Sequence, residues 1–100
     1  MIDEGQKYDF AIVGGGAYGL SAAYFLSKTE AKIAIFDQYT IGHANGSSHG
    51  PSRILRSTYG FELFRDLNKM GLQKHWPEVE KVLESKFIYN NDFLFYDDQK

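Results

Sequence analysis

Three consecutive glycines, Gly14-Gly15-Gly16, with a fourth at Gly19, separate two very different runs of sequence. Before them lies the charge-free apolar stretch Phe10-Ala11-Ile12-Val13; after them comes the small-residue stretch Leu20-Ser21-Ala22-Ala23-Tyr24-Phe25-Leu26. The first reads as a strand buried on both faces and the second as a helix able to pack closely on it. A second apolar run, Ile33-Ala34-Ile35-Phe36, ends on Asp37. Strand, glycine turn, helix, strand and terminal acid make a βαβ unit, with the spacing G-x-G-x-x-G falling on Gly14, Gly16 and Gly19.

Each part of that unit has a physical task if its ligand is an adenine dinucleotide. Gly14 allows a sharp turn out of the strand where a Cβ would clash. Gly16 lets the backbone approach a pyrophosphate, and Gly19 lets the helix sit tightly against the strands. The helix start, with Ala17 and Tyr18, aims N–H groups and the positive end of a dipole at the phosphates. Asp37 stands where a carboxylate accepts from ribose hydroxyls, with Gln38 beside it. A carboxylate there repels a 2′-phosphate, which argues against NADP. A glycine cluster alone would be only a tight surface turn. The flanking strand, helix and acid make dinucleotide binding the better reading, without choosing FAD over NAD.

Composition sets the outer bounds. The chain has 100 residues, 43% hydrophobic and 24% charged, in the range of a globular domain. A formal net charge of −2 with no Lys/Arg cluster predicts no nucleic-acid partner. The absence of cysteine removes disulfides and thiolate chemistry, and His43, His49 and His75 have no metal-ligand spacing. The uncharged run from Phe10 to Ser27 is interrupted by glycines and preceded by acidic residues. It therefore predicts neither a secretory signal nor a membrane span, and a cytoplasmic location is the default. Two parallel strands and one helix cannot cover each other's faces. The chain thus reads as the front portion of a larger protein, with an unpaired sheet edge that would favour self-association.

Beyond the βαβ unit the pattern changes twice. Gln38 to Gly60 has no hydrophobic period and is broken by Gly42, Gly46, Gly50 and Pro51, as in a linker or a binding loop. Ser52 to Arg56 could form a helical turn placing Arg53 and Arg56 on one face, which in isolation would most often be a solvated face. Phe61 to Glu84 has helical spacing, with a break or restart expected at Trp76-Pro77. Phe61, Phe64 and Trp76 are expected in a core. Phe87-Ile88-Tyr89 and Phe93-Leu94-Phe95-Tyr96, separated by Asn90-Asn91-Asp92, predict a short β-hairpin. Glu30 stands near the position where a left-handed residue often closes a helix, at a cost of roughly 1 kcal/mol unless the turn differs. The division expected is residues 1–60, a dinucleotide-binding unit with its loop, and 61–100, a helical region with the first strands of a substrate domain.

The run Gly46-Ser47-Ser48-His49-Gly50-Pro51-Ser52-Arg53-Ile54-Leu55-Arg56, followed by Tyr59-Gly60, carries a resemblance. It is similar to the motif G-S-[SH]-H-G-x-[ST]-R-I-x-R-x-x-Y of the monomeric sarcosine oxidase family, within the D-amino-acid oxidase superfamily. That family includes N-methyltryptophan oxidase and L-pipecolate oxidase. The likeness spans Tyr8 to about Asp97. It implies an α/β fold with a Rossmann-type FAD-binding βαβ unit, belonging to a two-domain flavoenzyme. The implied activity is oxidation of a secondary amine bearing a carboxylate: hydride passes to FAD, and then electrons pass to oxygen to give hydrogen peroxide. The implied partners are a small amine or amino-acid substrate and molecular oxygen.

Transferred position by position, Ser47, Ser52, Arg53 and Ile54 resemble residues that touch FAD. Arg53 resembles the arginine beside the flavin ring, where fixed positive charge stabilises the anionic reduced form. Arg56 resembles the residue pairing with the substrate carboxylate, a task suited to a planar guanidinium. His49 resembles a histidine that assists electrostatically; His43 has counterparts but no role from the resemblance. There are departures. Glu30 and Asp92 replace glycines common in the family. The cysteine that holds the flavin and the lysine that promotes oxygen reactivity have no match in these residues. The alternatives are a truncated chain without catalysis, kept as a binding remnant or completed by a partner chain, and a nicotinamide-binding module, although the last leaves Gly46 to Tyr59 unexplained.

Overall fold

The computed structural model describes residues 4–89. By its internal contacts the chain divides into two units, with the boundary between Arg53 and Ile54.

The first unit is the βαβ element. β1 (Phe10–Val13) and β2 (Ile33–Phe36) form a two-stranded parallel sheet, with Phe10 opposite Ile33 and Val13 opposite Phe36. Hydrogen bonds extend the pairing past both ends. Asp9 N–H donates to Lys32 O at 2.8 Å and Gly14 N–H to Phe36 O at 2.7 Å. The Asp9 carboxylate also accepts from Lys32 N–H at 2.8 Å, which fixes where the second strand begins.

The crossover is α1 (Ala17–Leu26). Its small residues bring it onto β1, and Gly19 shows how closely: a Cβ there would collide with Gly14 O and meet Ile12 Cγ2 at 3.2 Å. Gly14 itself works differently from the expectation. Nothing lies within 4 Å of where its Cβ would point, and its φ is +102°. The turn therefore needs glycine for its backbone conformation and not to avoid a side-chain clash.

The end of α1 settles the question of Glu30. Ser27 caps the helix in a right-handed conformation. The hydroxyls of Ser27 and Thr29 donate to Tyr24 O and Leu26 O, each at 2.7 Å, and Ala31 N–H donates to Thr29 Oγ1 at 3.2 Å. Hydroxyl donors replace the left-handed closure, and Glu30 has no positive φ. The anticipated cost at that position is absent.

The second unit is helical. α2 (Glu62–Met70) runs into a π-helical turn, Gly71–His75, and then into α3 (Trp76–Leu83). Of the expected break or restart at Trp76-Pro77, the restart is observed: α3 begins at Trp76, and the path before it widens instead of breaking. Pro77 lies in the first turn of α3. A proline ring clashes with the carbonyl four residues back in a regular α-helix, and here that residue, Gln73, belongs to the wider turn. α3 ends at Glu84, left-handed at φ +49° and ψ +38°. Ser85 N–H reaches back to Glu80 O at 3.1 Å in the manner of a Schellman closure.

Three expectations are corrected. Residues 52–56 carry no helical turn, so no helix face brings Arg53 and Arg56 together. Phe87 to Tyr89 is irregular, not a strand, and the remainder of the anticipated hairpin lies outside the described residues. Phe61 and Phe64 are 73% and 47% exposed, not core. The aromatic side chains of this unit meet in edge-on pairs instead, Phe61–Phe64 and Tyr59–Phe64 at 6.0 Å and Trp76–Phe87 at 5.8 Å. The reason is geometric. One helical path has no opposing layer among the described residues against which to bury an apolar stripe.

Candidate functional site

The chain emerging from β1, the start of α1, the end of β2 and the loop that follows enclose a cleft of about 1010 Å³. This is at the upper end of the roughly 300–1,000 Å³ usual for small-molecule sites. It opens beyond the carboxyl ends of two parallel strands, where α/β sheets bind their ligands.

Asp37 is its electrostatic centre. The carboxylate is 10% exposed and accepts three hydrogen bonds. Oδ2 receives Gly15 N–H at 2.7 Å, while Oδ1 receives Tyr39 N–H at 2.9 Å and meets His43 Nε2 at 3.1 Å. These bonds hold the carboxyl below its ordinary pKa. Gly15 N–H contributes most, then Tyr39 N–H, with His43 adding less and partial burial opposing. The acid closing the second strand is thereby tied directly to the glycine turn closing the first.

Two further side chains complete the turn. Ile41 lies over Gly15, where a Cβ would strike its Cδ1. Ser48 reaches the helix N-terminus: its Oγ accepts from Ala17 N–H at 3.0 Å across 31 residues of sequence. Gly16, the residue before α1, has no side-chain cap of its own. A Cβ on Gly16 would lie 3.0 Å from Ser48 Oγ. The loop thus supplies the cap, and the glycines admit it.

The rest of the loop is tied by its own polar groups. His49 Nδ1 donates to Gly46 O at 2.6 Å, since a carbonyl can only accept, which leaves Nε2 of the neutral ring as an acceptor. Arg53 donates through its guanidinium to His49 O at 2.6 Å.

Of the residues singled out from sequence, Gly14, Gly16, Ala17, Tyr18, Gly19, Asp37, Gln38, Ser47 and His49 line this one cleft. Ser52 and Arg53 belong to the same unit without lining it. Ile54 and Arg56 belong to the second unit, where Ile54 is 85% exposed and the Arg56 guanidinium stands 4.9 Å from the centre of the Tyr59 ring. Sequence reasoning missed Ile41 and Ser48 as parts of the turn and gave His43 no task. A histidine six residues after the acid was the only available signal for the last. Nothing in the sequence marks Ser48 as a cap for a helix 31 residues earlier.

The family model for FAD dependent oxidoreductases matches residues 9–97. The chain belongs to that family. Within this FAD-dependent oxidoreductase family, it is 35% identical over 91 residues to a monomeric sarcosine oxidase of Arthrobacter sp. (strain TE1826), covering 91% of this chain and 23% of that protein. It is 32% identical over 94 residues to a peroxisomal sarcosine oxidase of Mus musculus, covering 94% of this chain and 24% of that protein. With an N-methyl-L-tryptophan oxidase of Citrobacter koseri it shares 37% identity over 55 residues, covering 55% of this chain and 15% of the other. The chain thus spans about a quarter of the length of its first relatives. No solved structure matches it significantly.

The donor set fits the nucleotide part of the family's cofactor. The first N–H groups of α1 have no acceptor within the helix. The glycine turn leaves backbone, not side chain, facing the cleft. The carboxylate at the strand end is held ionised by N–H donors that do not titrate. Among the described residues no His/Cys/Asp/Glu cluster could hold a metal ion, and no helix is long and apolar enough to cross a membrane.

Proposed function

We propose that this chain holds FAD by its adenosine diphosphate half, as the nucleotide-binding part of a flavin-dependent oxidase. The substrates are secondary amines bearing a carboxylate, of the sarcosine or N-methyl amino acid type. The single observation that carries the reading is the meeting of Asp37 with Gly15 N–H at the mouth of the glycine turn, in a chain matched by the FAD dependent oxidoreductase family over residues 9–97.

The roles of the glycine turn and Asp37 follow from their chemistry, and those of Ser47, His49, Ser52, Arg53, Ile54 and Arg56 from the resemblance of their run to the family motif. The turn from Gly14 to Gly19 and the positive end of α1 bind the pyrophosphate. Asp37 accepts from the ribose, and its negative charge excludes a 2′-phosphate. Ala17, Tyr18, Gln38 and Ser47 form the walls around them; Ser52 and Ile54 contact the flavin half. Bound FAD supplies two-electron oxidation of the amine's carbon–nitrogen bond, with oxygen as final acceptor and hydrogen peroxide as product. Arg53 provides positive charge beside the flavin ring, and His49 offers Nε2 as a polar neighbour there. Arg56 pairs with the substrate carboxylate through its two-pronged guanidinium.

The test is a titration of the chain with ADP, FAD, NAD and NADP, followed by flavin fluorescence and by amide shifts. ADP and FAD should compete for one site, perturb the amides of Gly15 to Gly19, and leave NADP excluded. Perturbation by NAD together with indifference to FAD would replace the flavin reading with a nicotinamide one.

A further inference from the structure

His43 is an ionisable side chain of the cleft to which the proposed function gives no task. It is bound at both ring nitrogens. Asn45 N–H lies 2.9 Å from Nδ1, and a backbone N–H can only donate, so Nδ1 carries no proton. The ring proton is therefore on Nε2, which donates to Asp37 Oδ1 at 3.1 Å. The contact is a hydrogen bond from a neutral imidazole to a carboxylate, with the tautomer fixed by the loop backbone. The Tyr39 ring stands edge-on beside the imidazole at 4.8 Å, with its plane 62° from it.

This bond fixes how Asp37 can meet a ligand. A carboxylate has about four acceptor positions. Tyr39 N–H and His43 Nε2–H fill those of Oδ1, and Gly15 N–H takes one on Oδ2. With Oδ1 saturated from the loop side, the carboxylate plane is set and the free position on Oδ2 remains for the ligand. Resting on the dinucleotide reading above, we propose that His43 is a positioning residue for Asp37, orienting the carboxylate toward a ribose hydroxyl through its Nε2–H. It touches no reacting atom.

The experiment measures binding of ADP and of 2′,3′-dideoxy-ADP to the full chain and its variants by calorimetry. His43→Phe keeps a ring beside Tyr39 and removes both hydrogen bonds, whereas His43→Gln restores a donor of similar reach. For a hydrogen bond to a charged group, His43→Phe should weaken ADP about tenfold, leave the dideoxy nucleotide unchanged, and be largely rescued in His43→Gln. In an Asp37→Asn background, His43→Phe should have no further effect. Equal loss for both nucleotides would mean that His43 only stiffens the loop, and the inference would fall. So would full ADP affinity in His43→Phe while Asp37→Asn loses it. If the unmodified chain binds neither nucleotide, the dinucleotide reading fails and carries this inference with it. A second measurement needs no nucleotide. At pH 8 the ring ¹⁵N shifts of His43 should show one neutral tautomer, protonated at Nε2. An Nδ1–H tautomer, or the averaged mixture of a free imidazole, would overturn the assignment.

Discussion

The same substitution should have opposite signs at two helical glycines, and the structure says why. Replacing glycine by alanine inside a helix normally stabilises it by about 1 kcal/mol through the backbone freedom removed from the unfolded chain. At Gly71 the new methyl would meet the Trp76 ring edge at 3.8 Å, an ordinary contact, so Gly71→Ala should gain most of that amount. At Gly19 the methyl would collide with the backbone carbonyl of Gly14 and lie 3.0 Å from its carbon, with Ile12 Cγ2 at 3.2 Å. A carbonyl cannot swing aside as a side-chain tip does, so α1 must move off β1 or the turn must deform. Overpacking of this kind costs about 1–3 kcal/mol or more, which exceeds the propensity gain. Because the methyl would overlap the Gly14 carbonyl oxygen outright, the upper end of that range applies, and Gly19→Ala should be destabilising by about 2 kcal/mol net. Because the two glycines lie in different units, each unit must be read separately. Native-state hydrogen exchange does this: amides of α1, β1 and β2 should lose protection in Gly19→Ala, and those of α2 and α3 should gain it in Gly71→Ala. Equal or greater protection of α1 in Gly19→Ala would refute the close approach of helix and turn.

Four other outcomes are expected. Ser48→Ala should weaken the start of α1 by about 1 kcal/mol, the usual worth of a helix cap, seen as faster exchange at Ala17 and its neighbours. Glu84→Gly should stabilise α3 by about 0.5–1 kcal/mol, since it removes the strain of a left-handed residue with a Cβ while keeping the same closure, as thermal unfolding followed by circular dichroism would show. Glu80 Oε1 accepts from Ile88 N–H and Phe87 N–H at 2.7 and 2.8 Å, and these bonds, Ile88's first, hold its carboxyl below the ordinary value, as those to Asp37 do. A depressed carboxylate lends stability that is complete above the ordinary range of about 4 and fades as the pH falls through the folded-state value, so the amides of Gly15, Phe87 and Ile88 should lose protection on acidification and keep it at neutral pH. Finally, the single acceptor position left on Asp37 predicts that only one of 2′-deoxy-ADP and 3′-deoxy-ADP binds more weakly than ADP; equal losses for both in calorimetry would mean that the carboxylate takes two hydroxyls.

What could be read directly from the chain was whatever depends on neighbours in sequence. The uninterrupted apolar runs Phe10 to Val13 and Ile33 to Phe36, the glycine spacing and the acid at the strand end specify a βαβ unit locally, and the unit formed with its parallel register. The helical spacing after Phe61 was equally legible, as was the placement of Pro77 in a first turn. Tertiary structure decided what needs residues far apart to meet or a choice among near-equal backbone states. Ser48 caps α1 from 31 residues away, which no local rule anticipates. The helical path widened at Gly71–His75 instead of breaking, because a π turn accommodates the proline ring while keeping the hydrogen-bonded spiral. Glu84, not Glu30, took the left-handed conformation: the hydroxyls of Ser27 and Thr29 close α1, whereas α3 closes through the backbone N–H of Ser85 reaching Glu80 O. Asp37 was visible as an acid at the right distance. Its orientation came only when Gly15 N–H, Tyr39 N–H and His43 closed around it, since a carboxylate's direction is set by the donors that surround it in space.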